Sequence, residues 1–427
     1  MDGRTTGPDA VNFARTTIAG AGLAGLSAAV SLRRAGLSVR IADSAAQAGG
    51  RCRSYFDPQL GQTIDNGNHL VLSGNPAVAR FQAAIGAVGT LTGPEHADFA
   101  FCDVRDGARW TVRINDGALP WWVLNRQSRV PGSGLIDYLP IARLLLARKG
   151  RVDDHFTTIG PVWDRFLDPV LLAALNTAAG AGSALLTRNV LRETVAKGGV
   201  AMRPLIAEPN LAAAFVDPAT QWLAAQGAPV QLGRRLRGLG FEGDLVTTLD
   251  LGTGPEPVAA DEAVILAVPP WVATALVPEL EVPTEFRAIV NGHFAFPAPV
   301  GAPPMLGLVG AAAEWVFAFP DRLSVTVSAA DHLVDRDRED LARTFWTDIC
   351  AALKIAAPMP AWQIVKEKRA TFAATPEQDA KRPPAATRWR NLFLAGDWTQ
   401  TGLPATIEGA LRSGETAARL ASGGRSG

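Results

Sequence analysis

The 427-residue chain is too long for one simple hydrophobic core, so two domains are expected. Hydrophobic residues make up 48% and charged residues 19%, and Lys+Arg and Asp+Glu balance at 41 each, so nothing supports nucleic-acid binding. Three cysteines and five scattered histidines show neither disulfide nor zinc spacing, which fits a reducing, cytoplasmic setting, and no apolar run is long enough to span a bilayer.

The polar start, residues 1–15, reads as a mobile tail. Next, Thr16–Ala19 is a short apolar strand ending in Gly20-Ala21-Gly22-Leu23-Ala24-Gly25, and Leu26–Ala35 has helical spacing and stops at Gly36. Leu37–Ala42 then alternates as a strand and ends at Asp43, completing a β-α-β unit. From about residue 75 to 215 the chain is rich in Leu, Ala, Trp and Pro, with helical runs at Ile136–Arg148 and Val162–Ala179. Pro229–Leu232, Leu245–Leu249 and Ala263–Val268 read as three strands, residues 286–327 as strands with proline-rich loops, and Arg336–Leu353 as a helix. Asn391–Ala395 is a buried-type strand leading into Gly396-Asp397 and a final helix over Thr406–Ala421.

A lone GxGxxG signal is weak, but here a strand precedes it, a helix follows, and an acid, Asp43, stands eighteen residues beyond the third glycine. Gly20 permits the tight turn, Gly22 lets the backbone approach a pyrophosphate, and Gly25 lets helix and strand pack closely. The phosphates then sit on the amides around Leu23 and Ala24 at the helix N-terminus, and Asp43 accepts from ribose hydroxyls. Gly49-Gly50-Arg51 continues in a way that favours FAD over NAD, with Gly50 allowing close approach and Arg51 offering a planar cation to a phosphate oxygen.

Leu392–Asp397 followed by Thr401–Ala410 resembles the closing motif of the amine oxidase and phytoene desaturase superfamily. That resemblance implies an α/β fold with a Rossmann-type domain that binds FAD non-covalently and is built from discontinuous segments, beside an α+β substrate domain. It implies that Gly396 and Asp397 hold the ribityl and phosphate region and that the backbone of Thr406 and Ile407 meets the flavin. It also places the Val230 backbone against the adenine. The corresponding segments are 16–80, 216–275 and 385–422 for the cofactor, and 81–215 and 276–384 for the substrate.

Within the superfamily, Asp65-Asn66-Gly67-Asn68-His69-Leu70-Val71-Leu72 is similar to the hydroxysqualene dehydroxylases of hopanoid biosynthesis, with Asn66 at the cofactor. Asn68 stands where that pattern has Gln, and Cys52 where it has a small residue. The resemblance implies that reduced flavin, recharged by an external electron donor, removes the hydroxyl of a long-chain isoprenoid. Hydroxide leaves poorly, so a proton donor is needed, and His69 is the candidate general acid or else a purely hydrogen-bonding ring. Asp65 either orients His69 or caps the turn, and Glu408 either acts in the site or stabilises a helix N-terminus.

Amine oxidases of the superfamily carry a lysine on a strand resembling Ile289–Phe294, and none occurs there. The segment Leu139–Lys149 is apolar with cations at Arg143, Arg148 and Lys149, so it either lies peripherally on an anionic membrane or packs on the domain with its cations in water. Two other readings are an oxidative desaturase of a carotenoid-type isoprenoid and a prenyl-binding escort protein without redox function.

Overall fold

The computed structural model describes residues 13–277 and 279–424 and has an α/β architecture built on two large sheets. The first sheet has five strands in the order β10-β2-β1-β14-β20, namely Val230–Gln231, Ser38–Ala42, Arg15–Ala19, Glu262–Leu266 and Leu392–Leu394. All four pairings are parallel, with Ile18 opposite Ile41 on one side and Ile265 on the other. Its inner strands are buried on both faces, which is why Ala263–Leu266 is an unbroken apolar run and why even Thr16 and Thr17 lie buried beside Ile18 and Ala19.

Helix α1 (Leu23–Arg34) packs on this sheet against α10 (Ile407–Ala421), joining the two ends of the chain. Gly414 permits the contact, since a Cβ there would stand 2.2 Å from the Ala24 carbonyl oxygen. Ser27 Oγ donates to the Leu411 carbonyl at 2.8 Å. Of the three middle strands expected, only β10 and β14 join this sheet. The other, β12 (Leu245–Asp250), forms an antiparallel sheet with β11 (Gly238–Glu242) and β13 (Pro255–Pro257).

The second large sheet has seven strands in the order β19-β15-β18-β17-β16-β7-β8. These are Trp362–Phe372, Phe286–Phe294, Leu323–Val327, Trp315–Ala318, Met305–Val309, Ala97–Asp103 and Arg109–Ile114. One face carries α8 (Arg338–Leu353), whose Phe345, Trp346 and Ile349 share a core with Val290, Phe294 and Val325. The other packs Phe101, Trp315 and Phe317 against the helical region, including α3 (Leu139–Leu146) and α4 (Asp168–Leu175). The expected helix over 162–179 is a short π-helix, Trp163–Leu167, running into α4. Helices α5 (Ala184–Glu193), α6 (Asp217–Ala225), α7 (Pro270–Leu276) and α9 (Pro376–Ala380) complete the structure.

Two small sheets link the halves: the hairpin β3–β4 (Ser54–Asp57 and Gln62–Asp65), and β5-β9-β6 (Leu70–Leu72, Pro204–Ala207 and Leu91–Thr92). The second joins strands from both sides of the expected boundary at residue 80, and α2 (Pro76–Ile85), Ala87 and Ala207 share the first sheet's core. The expected tail, residues 1–15, also overlaps the folded part of the chain. Residues 1–12 lie outside the described residues, but Phe13 is 4% exposed against Phe393, and Arg15 opens β1.

Candidate cofactor and active site

The glycine loop crosses from β1 to α1 at the carboxyl end of the parallel sheet, where such folds bind their ligands. Gly20 has φ +107°, and a Cβ on it would lie 2.2 Å from the Ala267 carbonyl oxygen. A Cβ on Gly25 would lie 1.9 Å from the Gly20 carbonyl oxygen. Gly22 is different, because a Cβ there meets nothing within 4 Å. Gly22 also caps α1 without a side-chain hydrogen bond, so the first-turn amides of Leu23, Ala24 and Gly25 remain for an outside acceptor.

Asp43 braces this loop: its Oδ2 accepts from Ala21 N–H at 2.6 Å and its Oδ1 from Ala45 N–H at 2.8 Å. Val230 pairs with Ile41 one strand away, which sets its backbone beside the end of β2. The Gly49 amide donates to the Ala21 carbonyl at 2.8 Å, laying Gly49-Gly50 along the glycine loop. A pocket of about 250 Å³ lined by Ala45, Gln47, Gly50, Arg53 and Tyr55 opens beside it.

Arg51 leaves this turn and donates to Asp397 Oδ1 at 2.8 Å and to the Ala370 carbonyl at 2.5 Å. Burial works against the guanidinium charge, yet the Asp397 carboxylate holds its pKa above the ordinary value. Asp397 is fixed in turn by Arg382, which is 2% exposed and donates to the Asp397 carbonyl at 3.0 Å, to Thr401 Oγ1 at 2.7 Å and to the Thr399 carbonyl. Nothing local in the sequence marks Arg382 as interior, since its burial depends on the carbonyls and hydroxyl that the Asp397–Thr401 loop brings to it. Gly396 N–H donates to Ser413 Oγ at 2.8 Å, tying the Gly-Asp pair to α10.

At the start of α10, Thr406 is the N-cap and its Oγ1 accepts from Gly409 N–H at 3.0 Å, leaving the amides of Ile407 and Glu408 without a partner inside the helix. The Glu408 side chain points elsewhere. It is 2% exposed, accepts from the amides of Ala77 and Val78 at 3.0–3.1 Å, and so caps α2 rather than its own helix. Arg412, which also pairs with Glu193, holds it at 3.0 Å.

The Asp65–Leu72 loop lies over the polar stripe of β15 and its neighbours. Asn66 donates to Glu367 Oε2 at 3.3 Å, and Asn68 Nδ2 donates to Thr326 Oγ1 at 3.0 Å. Thr326 Oγ1 donates to Asn291 Oδ1 at 2.8 Å, and Gly67 is pressed on the same Asn291 amide. Asn68 Oδ1 is buried without a protein partner.

Asp65 takes no part in orienting His69. Its Oδ1 accepts from Ser54 Oγ at 2.6 Å and from Leu211 N–H at 2.9 Å, and burial raises its pKa. His69 stands by Arg51, close enough to hydrogen-bond its backbone; burial, and then the Arg51 charge, press its pKa down to about 4. Its resting form at neutral pH is therefore the uncharged imidazole. Further along the stripe, His293 is 0% exposed, bonded to Ser324 Oγ at 2.9 Å and pressed down to about 3 by burial and then by Arg322. Lys366, opposite Val290, is turned to the α8 face and donates to the Val334 carbonyl at 3.0 Å, so it brings no amine to this stripe.

The profile of the flavin-containing amine oxidoreductases matches residues 23–421. A hydroxysqualene dehydroxylase of Rhodopseudomonas palustris is 52% identical over 406 residues, covering 94% of this chain and 97% of its own. The chain belongs to this family of flavoproteins, and within it to the hydroxysqualene dehydroxylases. Two further hydroxysqualene dehydroxylases, from Sinorhizobium fredii and Zymomonas mobilis, are 51% and 48% identical, each over 95% of this chain and 97–98% of their own. Among solved structures, an oxidoreductase from Methanosarcina mazei superposes with TM-score 0.69 at 16% identity, over 94% of this chain and 98% of its own. Cyclohexylamine oxidase from Brevibacterium oxydans gives 0.68 at 16%, over 96% and 99%, and both likenesses concern the fold. The enzyme is an FAD-dependent oxidoreductase. Its residues fit that cofactor: the open space at Gly22, the uncapped amides of α1 and the first turn of α10 form a cradle for an anionic dinucleotide.

Proposed function

We propose that this enzyme reduces hydroxysqualene to squalene in hopanoid biosynthesis. The observation that carries the reading is identity of 48–52% to three hydroxysqualene dehydroxylases along nearly the whole chain. The polar stripe without a lysine agrees with it, since amine oxidation in this superfamily uses one. In the reaction the allylic carbon–oxygen bond breaks, the hydroxyl gains a proton and leaves as water, and a carbon–hydrogen bond forms. FAD, held non-covalently, supplies the hydride when reduced and is recharged by an external donor.

The chain's own residues have separable tasks in this proposal. Gly20, Gly22 and Gly25 shape the loop, and the amides of Leu23 and Ala24 receive the pyrophosphate. Asp43 accepts from the ribose and the Val230 backbone meets the adenine. Gly50, Arg51, Asn66, Gly396 and Asp397 enclose the middle of the cofactor. The Thr406–Ile407 end of α10 stabilises negative charge that grows on reduction. His69, uncharged at rest, donates a hydrogen bond to the departing oxygen and relays a proton from solvent instead of acting as a standing imidazolium.

The test is a single turnover without oxygen: chemically reduced enzyme is mixed with hydroxysqualene, and the flavin spectrum and extracted lipid are followed. Squalene formed in step with flavin reoxidation is expected. No squalene, together with reduction of the oxidised enzyme by a carotenoid-type isoprenoid, would establish the oxidative desaturase instead.

A further inference from the structure

Among the described residues fifteen large apolar side chains are exposed, and seven of them fall within residues 119–146. This stretch folds as one unit on the helical region. Trp122 packs edge-on against Tyr138 with ring centroids 5.2 Å apart, and the Tyr138 hydroxyl accepts from Val130 N–H at 3.0 Å. Trp122, Tyr138, Ile141 and Leu144 face inward and are buried. The outward side is just as apolar. On α3, Leu139, Ala142, Arg143 and Leu146 are exposed at helical spacings of three and four, opposite Ile141 and Leu144. Ile136 (77% exposed) and Leu135 extend this stripe, and Trp121 and Leu124 flank it on the turn that Trp122 anchors.

The charge along the patch is predominantly basic. Residues 117–150 carry Arg126, Arg129, Arg143, Arg148 and Lys149 against a single acid, Asp137. Asp137 is spent locally, since its carboxylate accepts from Gly134 N–H at 2.7 Å. Arg126, Arg143, Arg148 and Lys149 are exposed beside the apolar stripe. A solvated helix keeps its apolar side chains inward, whereas this one turns leucines and a cation outward together, with a tryptophan nearby. That combination matches the interface of an anionic bilayer, where apolar side chains enter the acyl boundary and cations meet phosphates.

We propose that residues 119–149 are a monotopic docking surface for an anionic lipid bilayer, with Trp121, Leu124, Leu135, Ile136, Leu139 and Leu146 entering the membrane and Arg143, Arg148 and Lys149 at the headgroups. The attachment is superficial, as no helix among the described residues is long and apolar enough to cross a membrane. It does not depend on which isoprenoid the enzyme reduces.

The full-length holoenzyme is sedimented with vesicles of phosphatidylcholine alone and of phosphatidylcholine mixed with phosphatidylglycerol. Strong co-sedimentation is expected with the anionic vesicles and is weakened by salt. In the combined Ile136→Asp, Leu139→Asp, Leu146→Asp variant the partition constant should fall roughly tenfold or more with the bound flavin unchanged. Reversing Arg143, Arg148 and Lys149 to Glu should abolish the preference for anionic lipid. Should the triple variant fail to fold, the wild-type minus Trp121→Phe emission difference serves as the second readout and should shift to the blue on vesicle addition. Wild-type protein that stays in the supernatant with both vesicles, a triple variant that binds like the wild type, or an unshifted Trp121 emission overturns the proposal. So does a wild-type dimer that ignores vesicles and that the triple variant dissolves, which would assign the face to a second copy of the chain.

Discussion

Arg51 and Asp397, separated by 346 positions in the chain, meet at 2.8 Å between Nη2 and Oδ1. The pair joins the turn after the second parallel strand to the loop before α10, so it binds both halves of the cradle together. Arg51→Met and Asp397→Asn are each expected to raise the FAD dissociation constant roughly tenfold, the scale of one charged hydrogen bond. The double variant should be little worse than either single one, as both remove the same contact. Equilibrium dialysis of the apoprotein decides it; losses that multiply would mean the two residues act apart.

The three loop glycines should fail in different ways. Gly25→Ala places a methyl 1.9 Å from the Gly20 carbonyl, where backbone must move, so the apoprotein itself should melt earlier. Gly22→Ala meets no protein atom within 4 Å, so the apoprotein should melt like the wild type while FAD affinity falls roughly tenfold or more. Calorimetry of the apoproteins with and without FAD separates the two effects. Equal melting losses in both apoproteins would contradict the assignment of Gly22 to ligand space.

Glu408→Gln tests whether that carboxylate is structural. It caps the amides of Ala77 and Val78 from a fully interior position, and its loss should cost about 2–3 kcal/mol of stability. Urea unfolding measures this. Turnover per bound flavin in the folded protein should stay near wild type, and a collapse of turnover without a stability change would return Glu408 to the chemistry.

The pH dependence follows from His69 and His293, pressed down to about 4 and about 3. An unfolded histidine takes up its proton near 6.5, so between that pH and the depressed values the unfolded chain holds more protons than the folded one. Stability is therefore full above 6.5 and declines as the pH falls through this window. His69→Gln should flatten the slope of stability against pH by about one proton. His69→Ala should also lower turnover while the flavin spectrum stays normal. A wild-type slope in the first variant or wild-type turnover in the second would remove the corresponding claim.

Much of the cofactor half was legible in the sequence because its signals are local. The Gly20–Gly25 spacing, the apolar runs either side of it and Thr406 before the last helix are each set by neighbours a few positions away. The substrate half was far less so. Pairing Asn291 with Thr326 and laying Asn68 over both depends on strand register across the seven-stranded sheet, which no short window specifies. Likewise the apolar run at Leu139–Lys149 read equally well as core or as surface, because periodicity tells which side chains share a face but not what that face meets.

The chain alone determined the flavin fold, the turn of its glycine loop and the family, since a tight strand-to-helix crossing demands particular residue types at fixed short spacings. Only the tertiary structure decided that Asp397 holds Arg51, that Glu408 caps α2, and that His69 rests uncharged. The first two depend on partners more than 300 positions distant and the third on burial, and these come into being only when the two ends of the chain pack on one sheet.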